Sequence, residues 1–205
     1  VIADWTVEIG PDCPSIDVPW DGWVDLRRHP GSPSWFGRAD AASDLAEAQA
    51  YPELPDLLKP VNSDALFTSK LDVFPVSRDD ADPEIAEAGE AATRFGLGSY
   101  VDLATDRPEI SEFAHFEALT RVLAAKLGKM EVSGVCSAEI VLRPAHLFGR
   151  ATFGWTVYVL GFGPAESAAR QVWAAAAAAT LAALQAEVTA CLDWKRHLQV
   201  LSDGS

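Results

Sequence analysis

Apolar and polar positions follow two periods along the chain, and the period switches several times. Trp5-Thr6-Val7-Glu8-Ile9 alternates as a half-buried strand does, and Gly10-Pro11-Asp12 ends the run. Trp23 to Leu26 is predicted as a second short strand, and His29 to Ser34 as a loop rich in proline, glycine and serine. Ala39 to Ala50 reads as a helix that stops at Tyr51-Pro52, because the residue before a proline is pushed out of the α region. Glu53 to Lys59 adds a helical turn. Leu66 to Phe74 alternates again, with Phe67, Ser69, Leu71 and Val73 on one face and Leu66, Thr68, Lys70, Asp72 and Phe74 on the other.

Asp82-Pro83-Glu84 carries the signals of a helix start: an N-cap aspartate, proline at the first helical position and acids in the first turn. Gly96 to Gly98 is expected to be a turn, followed by a strand over Ser99 to Ala104. Pro108 opens the clearest helix, in which Ile110, Phe113, Phe116, Leu119, Leu123 and Leu127 recur every three or four residues and Gly128 closes the run. Val132 to Leu142 and Ala151 to Phe162 read as two long strands of an antiparallel hairpin joined by Arg143 to Arg150. A last helix runs from Pro164 to about Leu192. These elements predict an α+β fold: a two-layer sandwich with a mostly antiparallel sheet, helices on one face and a Trp-rich irregular N-terminal arm. We expect residues 1–205 to form one domain, with the arm in 1–60 and the α+β core in 61–205.

The apolar fraction of 49% suits a soluble globular chain with a sizeable core. Its charge is uneven. Residues 1–90 hold 19 acidic and 6 basic residues, net −13, whereas residues 91–205 hold 11 and 10, net −1. Phosphate and anionic lipid are repelled by such a surface, so nucleic acid and membrane are not expected partners. The apolar window Val172 to Leu184 is shorter than a span and mostly alanine. Asp4 and Glu8 break the only apolar stretch near the start, so no signal peptide is expected. Cys13, Cys136 and Cys191 are odd in number and widely spaced, which points to reduced thiols and a cytoplasmic protein; Cys136 and Cys191 are expected to be buried.

Gly161-Phe162-Gly163 follows a strand and precedes a helix, but Glu166 stands where a dinucleotide fingerprint needs its third glycine, so we read a tight turn and no cofactor. The histidines His29, His115, His146 and His197 have no metal-ligand spacing, and no metal is expected. Three features remain. Trp20, Trp23 and Trp35, beside Asp21 and Asp25, offer flat faces and carboxylates of the kind a sugar cleft uses. Strand alternation gathers Lys70, Asp72, Tyr100, Asp102, Glu139 and Arg143, with Thr152, Thr156 and Tyr158, on one sheet face, where carboxylates and bases would serve a small hydrolase. Solvated cross-strand ion pairs give the same pattern. Asp79, Asp80, Asp82, Glu84, Glu87 and Glu90 form an acidic run. The leading expectation is a non-catalytic binding protein whose acidic first 90 residues meet a basic protein partner or a second copy. The hydrolase and the sugar site are the alternatives.

Overall fold

A computed structural model describes residues 2–10, 12–21, 23, 25–27, 45–63, 65–80, 85 and 88–203. The chain folds as α+β around a mixed sheet. Its strands are β1 (Ile2–Ile9), β2 (Ile16–Val18), β3 (Phe67–Val76), β4 (Phe95–Ala104), β5 (Val135–Leu147) and β6 (Arg150–Gly163). Its helices are α1 (Ala46–Ala50), α2 (Leu54–Leu58), α3 (Phe113–Leu127) and α4 (Glu166–Asp203). The sheet order is β1-β5-β6-β4-β3, and β2 pairs with β5 beyond β1. β3, β4, β6 and β5 pair antiparallel in turn, whereas β1 and β2 both run parallel to β5.

Period-3.6 and period-2 signals agree on the inner face. Ala138, Ile140 and Leu142 of β5 and Trp155, Val157 and Val159 of β6 join Phe116, Leu119 and Leu123 of α3 and Trp173, Ala177 and Leu181 of α4 in one buried cluster. Two buried indoles are hydrogen-bonded there, so they carry no unpaid polar group. Trp155 Nε1 donates to Thr120 Oγ1 of α3, and Trp173 Nε1 to Ser99 Oγ of β4, each at 2.9 Å. Small residues set the helix height. A Cβ on Gly161 would sit 2.5 Å from the Trp173 Cα, so α4 rests directly on the β6 backbone. By composition α4 is also apolar enough to cross a membrane, with a mean hydropathy of 1.4 over its best window; its Ala176, Leu184 and Val188 are buried in the sheet-facing core.

Several expectations change. Trp23, Asp25 and Leu26 are irregular, not strand. The expected helix starts at Ala39 and Asp82 fall outside the described residues, as do Trp35 and His29; residues 88–94 are turns and bends, and β4 already begins at Phe95. Gly96 and Gly98 are therefore mid-strand. A Cβ at Gly96 would meet Val76 O at 2.6 Å, and one at Gly98 would meet Phe74 and Leu160 side chains within 3 Å, so lack of bulk is what these positions need. Gly161 and Gly163 likewise end β6 instead of forming a turn. The hairpin connection is two residues, not eight: Phe148 (φ 51°) and Gly149 (φ 80°) both adopt the positive φ that a type I′ turn demands. Pro108–Ile110 is a separate 3₁₀ turn before α3, and α4 continues to Asp203. Cys136 is fully buried, and burial pushes its thiol up to about 11; Cys191 is only half-buried.

Candidate functional site

The outer sheet face is built from cross-strand rows. One row runs Asp72, Tyr100, Tyr158, Glu139 across β3, β4, β6 and β5; the next runs Lys70, Asp102, Thr156, Val141. A third runs Phe67, Ala104, Gly154, Arg143. The structure thus brings Lys70, Asp72, Tyr100, Asp102, Glu139 and Arg143 onto one face. The face assignment of β3 holds only from Lys70 onward. A register shift between Thr68 and Lys70 leaves Ser69 as an extra residue, and this bulge returns Phe67 to the same face as Lys70. Strict alternation had placed the two on opposite faces.

Phe67 seeds a second apolar cluster on this outer face, with Ile16, Val18, Ala104, Ala145, Leu147 and the partly buried Trp23. Trp23 meets Phe67 and Phe148 edge-on at ring separations of 6.0 and 5.7 Å. The chain from Pro14 to Asp21, with Trp23, therefore crosses the outer face. It leaves the β5 edge at β2 and reaches β3 within a few residues, so the sheet is curled and nearly closed. Trp20 Nε1 donates to Ser69 O at 3.1 Å and Trp23 Nε1 to Thr68 O at 3.3 Å. These indoles cap carbonyls of an edge strand, one of the devices that block unwanted strand pairing. Asp72 acts similarly: its Oδ1 accepts from the Val73 backbone N–H at 2.8 Å.

Between the crossing segment and the sheet lies a cleft of about 490 Å³, walled by Pro14, Ile16, Asp17, Trp20 and Ser69 and floored by Lys70, Tyr100, Asp102, Arg143 and Tyr158. Arg143 Nη1 donates to Thr156 Oγ1 at 2.8 Å, and Thr156 donates to Asp102 Oδ1 at 2.6 Å. Arg143 Nε donates to Pro14 O at 2.9 Å, and Nη2 to the same oxygen, which pins the wall to the floor. Burial raises the Asp102 pKa; the Thr156 hydrogen bond and the charges of Arg143 and Lys70 offset that only in part. Burial also raises the Tyr158 phenol. The rings of Tyr100 and Tyr158 lie 6.3 Å apart.

Four of the six patch residues line the cleft, and Asp72 and Glu139 do not. They stand at opposite ends of one row, three strand spacings or about 14 Å apart, with both tyrosines between them. Carboxylates so far apart do not share one water or one bond. Of the three tryptophans, Trp20 lines the cleft, Trp23 packs beneath the crossing segment, and Trp35 lies outside the described residues. Among the described residues no group of His, Cys, Asp and Glu is arranged to hold a metal. Sequence reasoning missed the buried ion cluster beside the cleft. Arg27, 8% exposed, bonds Asp25 and reaches Asp106 at 2.6 Å, with its guanidinium 4.3 Å above the Phe67 ring. Burial opposes that charge, but the two carboxylates outweigh it and hold the Arg27 pKa above its usual value. Only the spacing Asp25-x-Arg27 hinted at it. Comparison with known proteins returns no match among protein families, curated proteins or solved structures.

Proposed function

We propose that this is a non-catalytic binding protein and that the cleft beneath Trp20 holds its ligand. The observation that carries the reading is how the floor is satisfied. Its one carboxylate, Asp102, already accepts from Thr156, and Arg143 is spent on Thr156 and Pro14, so neither is poised as an acid, base or nucleophile. The rest of the lining offers an indole 43% exposed, two phenols, a lysine and the exposed Asp17 carboxylate at the lip, groups that can bind a ligand. The polar patch and the tryptophan feature thus meet in one place. The cleft reading favours binding over hydrolysis because the patch carboxylates do not converge.

The architecture fits a two-layer sandwich with a Trp-bearing N-terminal arm laid over the outer face. Three free cysteines support a reducing, cytoplasmic setting. Exposed Asp12, Asp17 and Asp21 near the mouth support a basic protein partner, with a second copy as the other candidate and neither nucleic acid nor membrane expected. The test is a thermal-shift screen of a small-molecule library against the wild type and Tyr158→Ala. Compounds that stabilise the wild type and not the variant are the expected result. Hits indifferent to the substitution, or turnover of any hit, would overturn the reading.

A further inference from the structure

Charge is balanced within the lining of the cleft. Lys70 stands opposite Asp102 in register, and Arg143 Nη1 lies 3.7 Å from Asp102 Oδ1. The Arg143 guanidinium is further committed to Thr156 and to Pro14 O. At the lip, the Asp17 carboxylate accepts from Ser15 Oγ at 2.9 Å and lies 3.3 Å from His146 Nδ1. Two cations of the lining are thus answered by two carboxylates. An ion of either sign would have to shed its hydration and compete with pairs already made, whereas an uncharged ligand does neither.

Two neutral polar groups are left over. Tyr100 and Tyr158 line the cleft with their rings 6.3 Å apart, and among the described residues neither hydroxyl makes a hydrogen bond. Each phenol can donate one hydrogen bond and accept another. Trp20, 43% exposed, lines the same cleft, and its bond to Ser69 O holds the indole in place. The volume of about 490 Å³ is that of a small-ligand site. Resting on the cleft reading above, we propose that the ligand is an uncharged saccharide, seated with the C–H side of one pyranose ring on Trp20 and its hydroxyls on Tyr100 and Tyr158. A pyranose carries both surfaces that this lining complements. Its axial C–H groups make one side apolar, suited to an indole, and the hydroxyls around its rim both donate and accept. A purely aromatic ligand would use the indole and leave the phenols unpaired.

Isothermal titration tests the proposal, with the methyl glycosides of D-glucose, D-galactose, D-mannose and N-acetyl-D-glucosamine as probes and benzamide and D-glucuronate as the flat and the charged comparison. The proteins are the wild type, Trp20→Ala and the double variant Tyr100→Phe/Tyr158→Phe. At least one glycoside is expected to bind, with an affinity that does not change between about 0.05 and 0.5 M salt. Each variant is expected to weaken it about tenfold, the size of one or two neutral contacts. The phenylalanine pair keeps both rings, so its loss reads the hydroxyls and not the fold. Benzamide binding as tightly as the best glycoside would overturn the saccharide, and glucuronate binding more tightly would overturn the uncharged ligand. Glycoside binding that either variant leaves unchanged would also overturn the proposal. If no glycoside binds, the saccharide falls, whereas the cleft reading falls only if the library screen also finds nothing sensitive to Tyr158→Ala.

Discussion

The indole nitrogen of Trp20 donates to the carbonyl of Ser69, the one residue of β3 that the bulge leaves without a partner on β4. The contact joins positions 49 residues apart and fixes the crossing segment to β3 at the wall of the cleft. Ser69 Oγ reaches back to Asp17 O at 3.5 Å, so the bulge and the crossing segment hold each other in place. Edge protection and cleft formation are therefore the same interaction.

The two indoles should differ in what they hold. Trp23 is packed against Phe67 and Phe148, whereas Trp20 is 43% exposed. Trp23→Ala is expected to cost about 2–4 kcal/mol, as for other buried large-to-small changes, and Trp20→Ala about 1 kcal/mol, the value of one hydrogen bond. Urea unfolding of the two variants checks this; equal losses would mean that the second apolar cluster does not anchor the segment.

Arg27→Ala is expected to be severely destabilising, by about 3 kcal/mol or more. It removes the buried guanidinium that bonds the Asp25 carboxylate and reaches Asp106 beside it. Arg27→Lys should recover only part of the loss, because a lysine does not reproduce the contacts to Asp25 Oδ1 and Oδ2. Chemical denaturation of both variants reads the difference.

Asp102 carries a raised pKa in the folded protein, so the native state holds its proton to higher pH than the unfolded chain does. Stability from this group is fully present below the unfolded-state pKa and is lost as pH rises through the folded one. Asp102→Asn removes the titration and keeps an oxygen for Thr156. The variant should be no less stable than the wild type at pH 7, and its unfolding free energy should fall less as pH rises above about 4. Glu53 has the opposite sign. Its hydrogen bond to Arg170 lowers its pKa, so Glu53→Gln should lose stability above about pH 4.5 and match the wild type in stronger acid. Denaturant midpoints across pH measure both.

Gly161→Ala should push α4 off the sheet. The added methyl meets the backbone of Trp173, which has no rotamer to give, so the expected cost is about 3 kcal/mol. Near-ultraviolet circular dichroism of the variant should lose the signal of the buried Trp173. An unchanged spectrum and midpoint would show that the helix has room to rise.

What the chain discloses on its own depends on how local each cause is. The inner face was legible because Phe116, Leu119 and Leu123 repeat at helical spacing and Val157 and Val159 alternate, and each signal is complete within one element. The pairing of Lys70 with Asp102 was legible too, since alternation fixes faces once strands are adjacent. Phe67 was not, because one inserted residue inverts the parity and no residue type announces a bulge at Ser69. The hairpin turn was hidden by Pro144, which reads as a break yet lies within β5, and by Phe148, an unusual residue for a positive φ. The parallel pairing of β1 and β2 with β5 joins segments more than a hundred residues apart, beyond the reach of any local pattern. Trp20 could be named as a stacking candidate, but its place on the cleft follows from that pairing.

The cleft itself is tested most directly by following the indole N–H resonances of the seven tryptophans in a ¹⁵N heteronuclear correlation spectrum while a ligand is titrated in. The account predicts that Trp20 shifts with ligand concentration while the buried Trp155 and Trp173 stay in place. Ligand binding that leaves the Trp20 resonance unmoved would contradict it.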